Sequence, residues 1–270
     1  MRPEEYQFLS DLLKKRSGLA LTEDKTYLIE SRLLPIARAR RLADLSALYA
    51  ELRAHPNEEL LVEITEAMTT NESSFFRDIK PYEHLRQQVM PVLFGKLAAQ
   101  KKIRIWSAAC STGQEPYSVA MCLQEDVGKM LGWKFDIVAS DLAKKVVDKA
   151  KLGIYSQFEA QRGLPIQMLV KYFLSLSDTT WQIKEPLRSS VQFRTQNLLE
   201  DYGHLGQFDI IFCRNVLIYF DDVTKAQVTE RMLRVLQPHG FLILGSTESL
   251  VDPKGQFAPF EDFRGAYRLK

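Results

Sequence analysis

Through residues 1–70 the apolar positions fall at helical spacing. Pro3 opens a helix whose Tyr6, Phe8, Leu9, Leu12 and Leu13 make an apolar stripe, and Gly18 stands where a left-handed glycine would end it. Thr22 reads as the N-cap of a second helix carrying Tyr27, Ile29, Leu33 and Ile36, and Pro35 inside that pattern should kink or split it. Asp44–Arg53 and Asn57–Thr69 continue the helical pattern, separated at His55-Pro56. A further helix is predicted over Pro81–Ala99. Beyond it the spacing changes to short apolar runs alternating with helices: Ile103–Trp106, Phe135–Ser140, Val191–Arg194, Phe208–Cys213, Phe241–Leu244 and a terminal edge strand, Ala266–Leu269. Tyr117–Gln124, Leu142–Leu152 and Asp221–Leu236 are the helices between them, and Pro238-His239-Gly240 reads as a turn into the next strand. About six strands alternating with helices predict an α/β domain. Tyr172–Leu176 and Trp181–Ile183 alternate like short antiparallel strands around a Ser177-Asp178-Thr179 turn, a small excursion from that domain.

Composition narrows the class. A chain of 270 residues, 46% hydrophobic and 26% charged, can bury a sizeable core as one large domain or two smaller ones. The formal net charge of +2 provides no global field for nucleic acid, so any basic patch is local. No apolar run of about 18 residues and no amino-terminal h-region stand in the sequence, which predicts neither membrane insertion nor a signal peptide. Cys110, Cys122 and Cys213 sit in apolar settings without CxxC spacing and read as reduced core thiols of a cytoplasmic protein. His55, His84, His204 and His239 are scattered, and no metal site is expected.

Candidate chemistry gathers at Ile103–Ala120, IRIWSAACSTGQEPYSVA. A strand, a turn of small residues and a helix with Pro116 in its first turn let a ligand approach backbone at the carboxyl end of a sheet. The next strand, FDIVAS, ends on Asp141, an acid where nucleotide folds hold ribose hydroxyls. Asn197-Leu198 lies beyond the Val191 strand, and polar Asn215 closes the Phe208 strand. Met68–Arg77, MTTNESSFFR, reads as a junction anchored by Phe75-Phe76, with Arg77 as a snorkelling arginine or a placed cation. Arg32, Arg38, Arg40 and Arg41 cluster on the second helix, as a solvated face or as a docking surface for an acidic partner.

Five ordered motifs together carry a resemblance: MTTNESSFFRD at 68–78, SAACSTGQEPYS at 107–118, ASD at 139–141, NLL at 197–199 and CRNVLIYF at 213–220. The sequence resembles the chemotaxis receptor glutamate methyltransferases, the CheR family, over nearly its whole length. The resemblance implies a class I S-adenosyl-L-methionine-dependent methyltransferase, Rossmann-like, with a mixed seven-stranded sheet, an all-helical amino-terminal domain and a small antiparallel β-subdomain insertion. It divides the chain into a docking domain at 1–70, a linker contributing to the cofactor site at 71–80 and a methyltransferase domain at 81–270 with its insertion at about 170–190. Carried over by motif, Asn71, Ser73, Arg77, Glu115, Asp141, Asn197, Leu198, Asn215 and Val216 are the expected cofactor contacts. Ser73 stands where threonine is common in the family and Gln114 where an acid often precedes Glu115; the hydroxyl and the carboxylate both survive. Arg77 and Tyr219 are the expected catalytic residues, and Arg32, Arg38, Arg40 and Arg41 the receptor-docking set. The implied reaction converts receptor glutamates to methyl esters and yields S-adenosylhomocysteine, without metal and without a general base.

The implied partners are the cytoplasmic signalling helices of chemoreceptors, with no nucleic acid. Some family members tether a receptor's carboxyl-terminal tail through a longer glycine-rich turn of the insertion. Ser177-Asp178-Thr179 contains no glycine, so no tail tether is expected. A nicotinamide oxidoreductase would share the strand–turn–helix and Asp141, yet Gly113 is the only glycine of the turn and no GxGxxG is present. A nucleic-acid methyltransferase would use Asn215–Tyr219 as an Asn-Pro-Pro-Tyr motif, and Val216-Leu217-Ile218 stand in place of its prolines. A non-catalytic cofactor-binding module would have no need of Arg77, Glu115, Asp141 and Tyr219 together.

Overall fold

The computed structural model describes residues 1–126, 131–260 and 263–270, and every candidate site residue lies among them. The chain forms two compact units, Met1–Thr70 with Ile218–Thr224, and Asn71–Leu217 with Lys225–Lys270.

The first unit holds helices α1 (Pro3–Ser17), α2 (Thr26–Ala39), α3 (Leu45–Ala54) and α4 (Glu58–Met68). Leu9, Leu13, Ile29, Leu33, Leu48, Leu52, Leu60 and Ile64 form its core, the helical spacing of the sequence bringing one stripe from each helix inward. Gly18 takes φ 80° at the end of α1, and Asp44 and Asn57 cap α3 and α4 through the amides of Ala47 and Glu59. Thr22 caps nothing in α2: a short 3₁₀ turn, Glu23–Lys25, precedes that helix. Pro35 does not split α2, which continues through it to Ala39. It has no amide to donate to the carbonyl of Ser31, and both residues are exposed, so that carbonyl stands at the solvent face of the helix. Residues 218–224 join this unit through Ala20, whose amide donates to the Tyr219 carbonyl at 2.8 Å, and through a Lys14–Asp221 ion pair at 2.6 Å.

The second unit is built on ten strands: β1 (Lys102–Ala108), β2 (Lys134–Asp141), β3 (Ile154–Ser156), β4 (Phe173–Ser177), β5 (Thr180–Ile183), β6 (Val191–Thr195), β7 (Phe208–Cys213), β8 (Leu236–Leu244), β9 (Phe257–Pro259) and β10 (Ala266–Leu269). Seven form one sheet in the order β6-β2-β1-β7-β8-β10-β9, parallel through β8 and antiparallel at β10 and β9. This is the mixed seven-stranded sheet of the class I methyltransferases. β7 is buried at all six positions, as a strand covered on both faces must be.

Several details differ from expectation. β10 is internal, because Phe257–Pro259, too short to register as a strand in the sequence, pairs along its outer side. Pro238-His239-Gly240 makes no turn between helix and strand: β8 already begins at Leu236 and carries an irregularity there. The partner strand advances from Phe208 to Ile210 while β8 advances from Leu236 to Phe241. The small sheet, ordered β3-β5-β4, recruits Ile154–Ser156 and so starts well before residue 170. The Pro81–Ala99 helix contains a π-helical turn at Leu85–Val89 between Lys80–His84 and Met90–Lys96. Among the described residues no helix is long and apolar enough to cross a membrane.

Candidate active site

The carboxyl ends of four adjacent strands stand in one row. Ala108 of β1 is level with Ser140 of β2 and Cys213 of β7, and Asp141 is level with Thr195 of β6. Loops leaving this row carry most of the candidate residues: Asn197 and Leu198 after β6, Asp141 at the end of β2, Glu115 after β1, Asn215 and Val216 after β7. The Cys110 amide donates to the Ser140 carbonyl at 2.8 Å, and the Gln196 amide to the Asp141 carbonyl at 2.9 Å, so neighbouring loops are tied to one another.

The row is backbone-rich and strained. Ala109, Ser111 and Asn215 adopt φ of 59°, 50° and 59°, the left-handed region that non-glycine residues avoid, at about 1–3 kcal/mol each. Small side chains at 107–111 keep the turn low, and the structure supplies partners for the strained amides. Asp141, buried, accepts from the Ser111 amide at 2.8 Å through Oδ2 and from the Ala143 amide at 3.1 Å through Oδ1. Ser111 Oγ in turn donates to the Asn71 carbonyl at 2.7 Å, bringing the 71–78 segment to the same edge. Asn197 Oδ1 accepts from the Leu199 amide at 3.0 Å and fixes its own loop, and Leu198 is buried beside it.

Glu115 enters from the first turn of the helix Gln114–Glu125, which Gly113 begins at φ 94°. Its Oε1 accepts from Ser107 Oγ at 2.8 Å and its Oε2 from Arg214 Nη1 at 3.0 Å. Burial pushes its carboxyl above the usual carboxylate range, and the Arg214 charge with the Ser107 hydroxyl opposes that rise. The same burial lifts the Cys110 thiol well above its usual value, and the Asp141 and Glu115 charges add to it.

The 71–78 segment is fixed by aromatic packing. Phe75 meets Tyr155 and Phe173 edge-on, at centroid distances of 5.0 and 5.5 Å, and the Phe76 amide donates to Ser118 Oγ at 2.9 Å. Arg77, half-buried, lays Nη1 on the Glu72 carbonyl at 3.2 Å, and Ser73 is half-buried. Tyr219, half-buried, closes the 3₁₀ turn Leu217–Tyr219 and belongs with the first unit.

The four arginines expected to form a docking set separate. Arg32 donates to the carbonyls of Met68 and Thr69 at 2.7 and 3.1 Å and to Thr70 Oγ1 at 3.1 Å, so it caps the end of α4. Arg40 pairs with Glu63 at 2.8 Å. Arg38 and Arg41 are exposed.

Two residues at the row escaped the sequence reading. Arg214 has a side chain only 1% exposed and bridges Glu115 to the Arg77 carbonyl and the Asp78 carboxylate. Glu248 accepts from the amides of Asn215, Val216 and Gly245 at 2.7, 2.9 and 2.7 Å. The signal for Arg214 was available: a charge set between the apolar run Ile210–Cys213 and Val216-Leu217-Ile218 must find a buried partner. Glu248, in a Ser-Thr-Glu-Ser stretch after β8, reads like any polar loop residue.

Residues 4–69 match the CheR methyltransferase all-alpha domain, and residues 71–264 match the CheR methyltransferase SAM-binding domain. The chain is 40% identical over 257 residues to a chemotaxis protein methyltransferase of Vibrio anguillarum, covering 94% of this chain and 92% of that protein. It is 40% identical over 241 residues to the chemotaxis protein methyltransferase Cher2 of Pseudomonas putida, covering 88% and 87%. Against chemotaxis protein methyltransferase 1 of Pseudomonas aeruginosa the identity is 39% over 249 residues, covering 91% and 90%. With both halves of the family's architecture present in order over nearly the whole chain, and with relatives about 40% identical, this chain belongs to the CheR family of chemotaxis methyltransferases.

Proposed function

We propose that the chain transfers a methyl group from S-adenosyl-L-methionine to glutamate side chains of bacterial chemoreceptors, giving glutamate methyl esters and S-adenosylhomocysteine. The observation that carries the reading is the pair of buried carboxylates, Glu115 and Asp141, at adjacent strand ends beside left-handed backbone free of bulky side chains. These residues suit the cofactor. Asp141 is the acceptor for ribose hydroxyls, and Glu115 is the counter-charge for the ammonium of the methionine part. Two of the roughly four acceptor positions of the Glu115 carboxylate are taken by Ser107 and Arg214. Leu198 and Val216 offer apolar surface to the adenine, Asn197 and Asn215 offer amides to its edge, and Asn71, Ser73 and Arg77 serve from the linker.

When bound, S-adenosyl-L-methionine supplies a methyl group activated by its sulfonium. A free glutamate has a pKa of about 4.3, so an acceptor carboxylate is ionised at neutral pH and no side chain of the enzyme has to remove a proton. The task left to the chain is to orient and desolvate the acceptor, which in well-aligned systems contributes roughly 7–11 kcal/mol. Arg77 is the cation for the acceptor or cofactor carboxylate, and Tyr219 is the residue that the motif match assigns to the methyl-transfer pocket.

Calorimetry decides the cofactor. S-adenosyl-L-methionine and S-adenosylhomocysteine are expected to bind, NAD and NADP are not, and tighter binding of NAD would overturn the reading. Asp141→Ala should weaken S-adenosylhomocysteine by about 1.5–3 kcal/mol, more than tenfold in Kd, through lost charge-assisted hydrogen bonds. An unchanged Kd removes Asp141 from the site.

Receptor docking falls to the exposed end of α2. Arg32 and Arg40 are committed inside the helical unit, which leaves Arg38 and Arg41 as the cations for an acidic receptor helix. With no glycine in the Ser177-Asp178-Thr179 turn, recognition through these arginines stands in place of a tail tether. Reversing both charges to glutamate should raise the receptor KM about tenfold or more, leave S-adenosylhomocysteine affinity unchanged and flatten the salt dependence of receptor binding. A receptor lacking only its tail should remain a substrate. Unchanged KM after reversal, or loss of methylation on removing the tail, counts against this surface.

A further inference from the structure

Within the second unit, Arg214 occupies a position that the cofactor reading leaves unused. Its guanidinium is fully enclosed, and its two terminal nitrogens serve two parts of the chain far apart in sequence. Nη1 donates to Glu115 Oε2 at 3.0 Å, while Nη2 donates to the Arg77 carbonyl at 2.9 Å and to Asp78 Oδ2 at 2.8 Å. The Tyr82 ring lies 5.8 Å from Cζ, within the range of a cation–π contact. A planar guanidinium holds its targets in a fixed geometry that an ammonium on a flexible stem does not impose.

The segment it grips is strained. Phe76, Asp78 and Ile79 take φ of 49°, 67° and 40°, so three of four consecutive residues sit in the left-handed region without a glycine among them. Such a turn persists only when its surroundings over-determine it. Its upstream side is anchored by Phe75 and by the Phe76 amide on Ser118, and the Arg77–Asp78 side is anchored by Arg214.

We propose that Arg214 is a positioning residue that keys the Phe76–Ile79 turn, and with it the Arg77 side chain, to the Glu115 carboxylate. The cation on the linker and the carboxylate at the strand row then hold a fixed separation, set by one rigid group. The proposal rests on the reading of this edge as the cofactor site. A purely structural role fits the chemistry poorly. Arg214 Nε is buried without a hydrogen-bond partner among the described residues, and an enclosed charge with an unsatisfied donor is a weak source of stability. The nitrogens that are satisfied are the ones aimed at the two site segments.

The test is amide hydrogen exchange on the full chain without ligand, combined with S-adenosylhomocysteine calorimetry, for Arg214→Lys and Asp78→Asn. Asp78→Asn removes one partner's charge at a half-exposed position, and asparagine tolerates the left-handed backbone that Asp78 adopts. It therefore remains informative if Arg214→Lys does not fold. The expected result is faster exchange confined to amides 71–79, with β1 and β7 protected as in the wild type. S-adenosylhomocysteine affinity should fall at least tenfold for Arg214→Lys and several-fold for Asp78→Asn. Unchanged exchange at 71–79 in Asp78→Asn overturns the proposal, as does faster exchange spread evenly over the whole unit. Wild-type protein that binds no S-adenosylhomocysteine would sink the cofactor reading, and the exchange pattern would still judge the clamp.

Discussion

Gly163→Ala is expected to destabilise the protein by at least about 3 kcal/mol, because two independent penalties act at one position. Gly163 adopts φ +87°, where an L side chain is strained by about 1–2 kcal/mol. A Cβ built there would also stand 2.1 Å from the Phe75 carbonyl oxygen, well inside any allowed contact, and the obstructing atom is backbone. Phe75 cannot retreat easily: it is fully buried and wedged edge-on between Tyr155 and Phe173. The clash must therefore move the 71–78 segment, which carries Asn71, Ser73 and Arg77. At roughly 2–4 °C per kcal/mol for a unit of this size, Tm should fall by about 6–12 °C. Affinity for S-adenosylhomocysteine should drop with it, measured below the transition, where the variant is still folded. A Tm within about 1 °C of the wild type would show that the two segments are not in contact as described.

The fold was largely legible because periodicity reports burial. Strands covered on both faces, such as FDIIFC at 208–213, are apolar at all but one position (Asp209), and the helices of residues 1–70 each carry one stripe. What could not be read were features set by neighbours. Phe257–Pro259 is only three residues long and is a strand because β10 offers it an edge. Leu236 already pairs with Phe208 of β7, and the register with β7 resumes only at Phe241, so the proline and glycine that read as a turn fall at an irregularity inside β8. Pro35 stays inside α2 because the helix face it occupies is wet.

Of the candidate site, the sequence names only residues that stand in its motifs. Motif positions named the residues that would touch a cofactor, and the strand row gathers Glu115, Asp141, Asn197 and Asn215 at one edge. The residues that hold those in place have no local signature. Arg214 works across 99 residues of sequence to Glu115, and Glu248 works across 33 to Asn215. The arginines proposed for docking show the converse. Four cations looked alike on a helical wheel, and only the fold shows that Arg32 and Arg40 already serve Thr70 and Glu63.

Glu248→Ala is expected to be the more damaging of two carboxylate substitutions at that position, both for stability and for cofactor binding. The Glu248 carboxylate gathers three backbone amides, those of Asn215 and Gly245 on Oε2 at 2.7 Å and that of Val216 on Oε1 at 2.9 Å. Gly245 packs so closely that a Cβ there would lie 2.6 Å from Oε2. Deleting the carboxylate strands three donors around a group that is only 9% exposed, and each unsatisfied donor costs about 1–3 kcal/mol. Water can reach some of them, so a net loss of about 3–5 kcal/mol is expected. Asn215, held at φ 59°, would relax out of the left-handed region once its amide is released, moving the Asn215-Val216 surface proposed for adenine. Glu248→Gln keeps one carbonyl oxygen as acceptor and should fall between alanine and wild type in both Tm and S-adenosylhomocysteine affinity. The order of the three proteins is the measurement: if alanine equals glutamine, or if Tm falls while the Kd stays fixed, Glu248 supports the fold without positioning Asn215 and Val216.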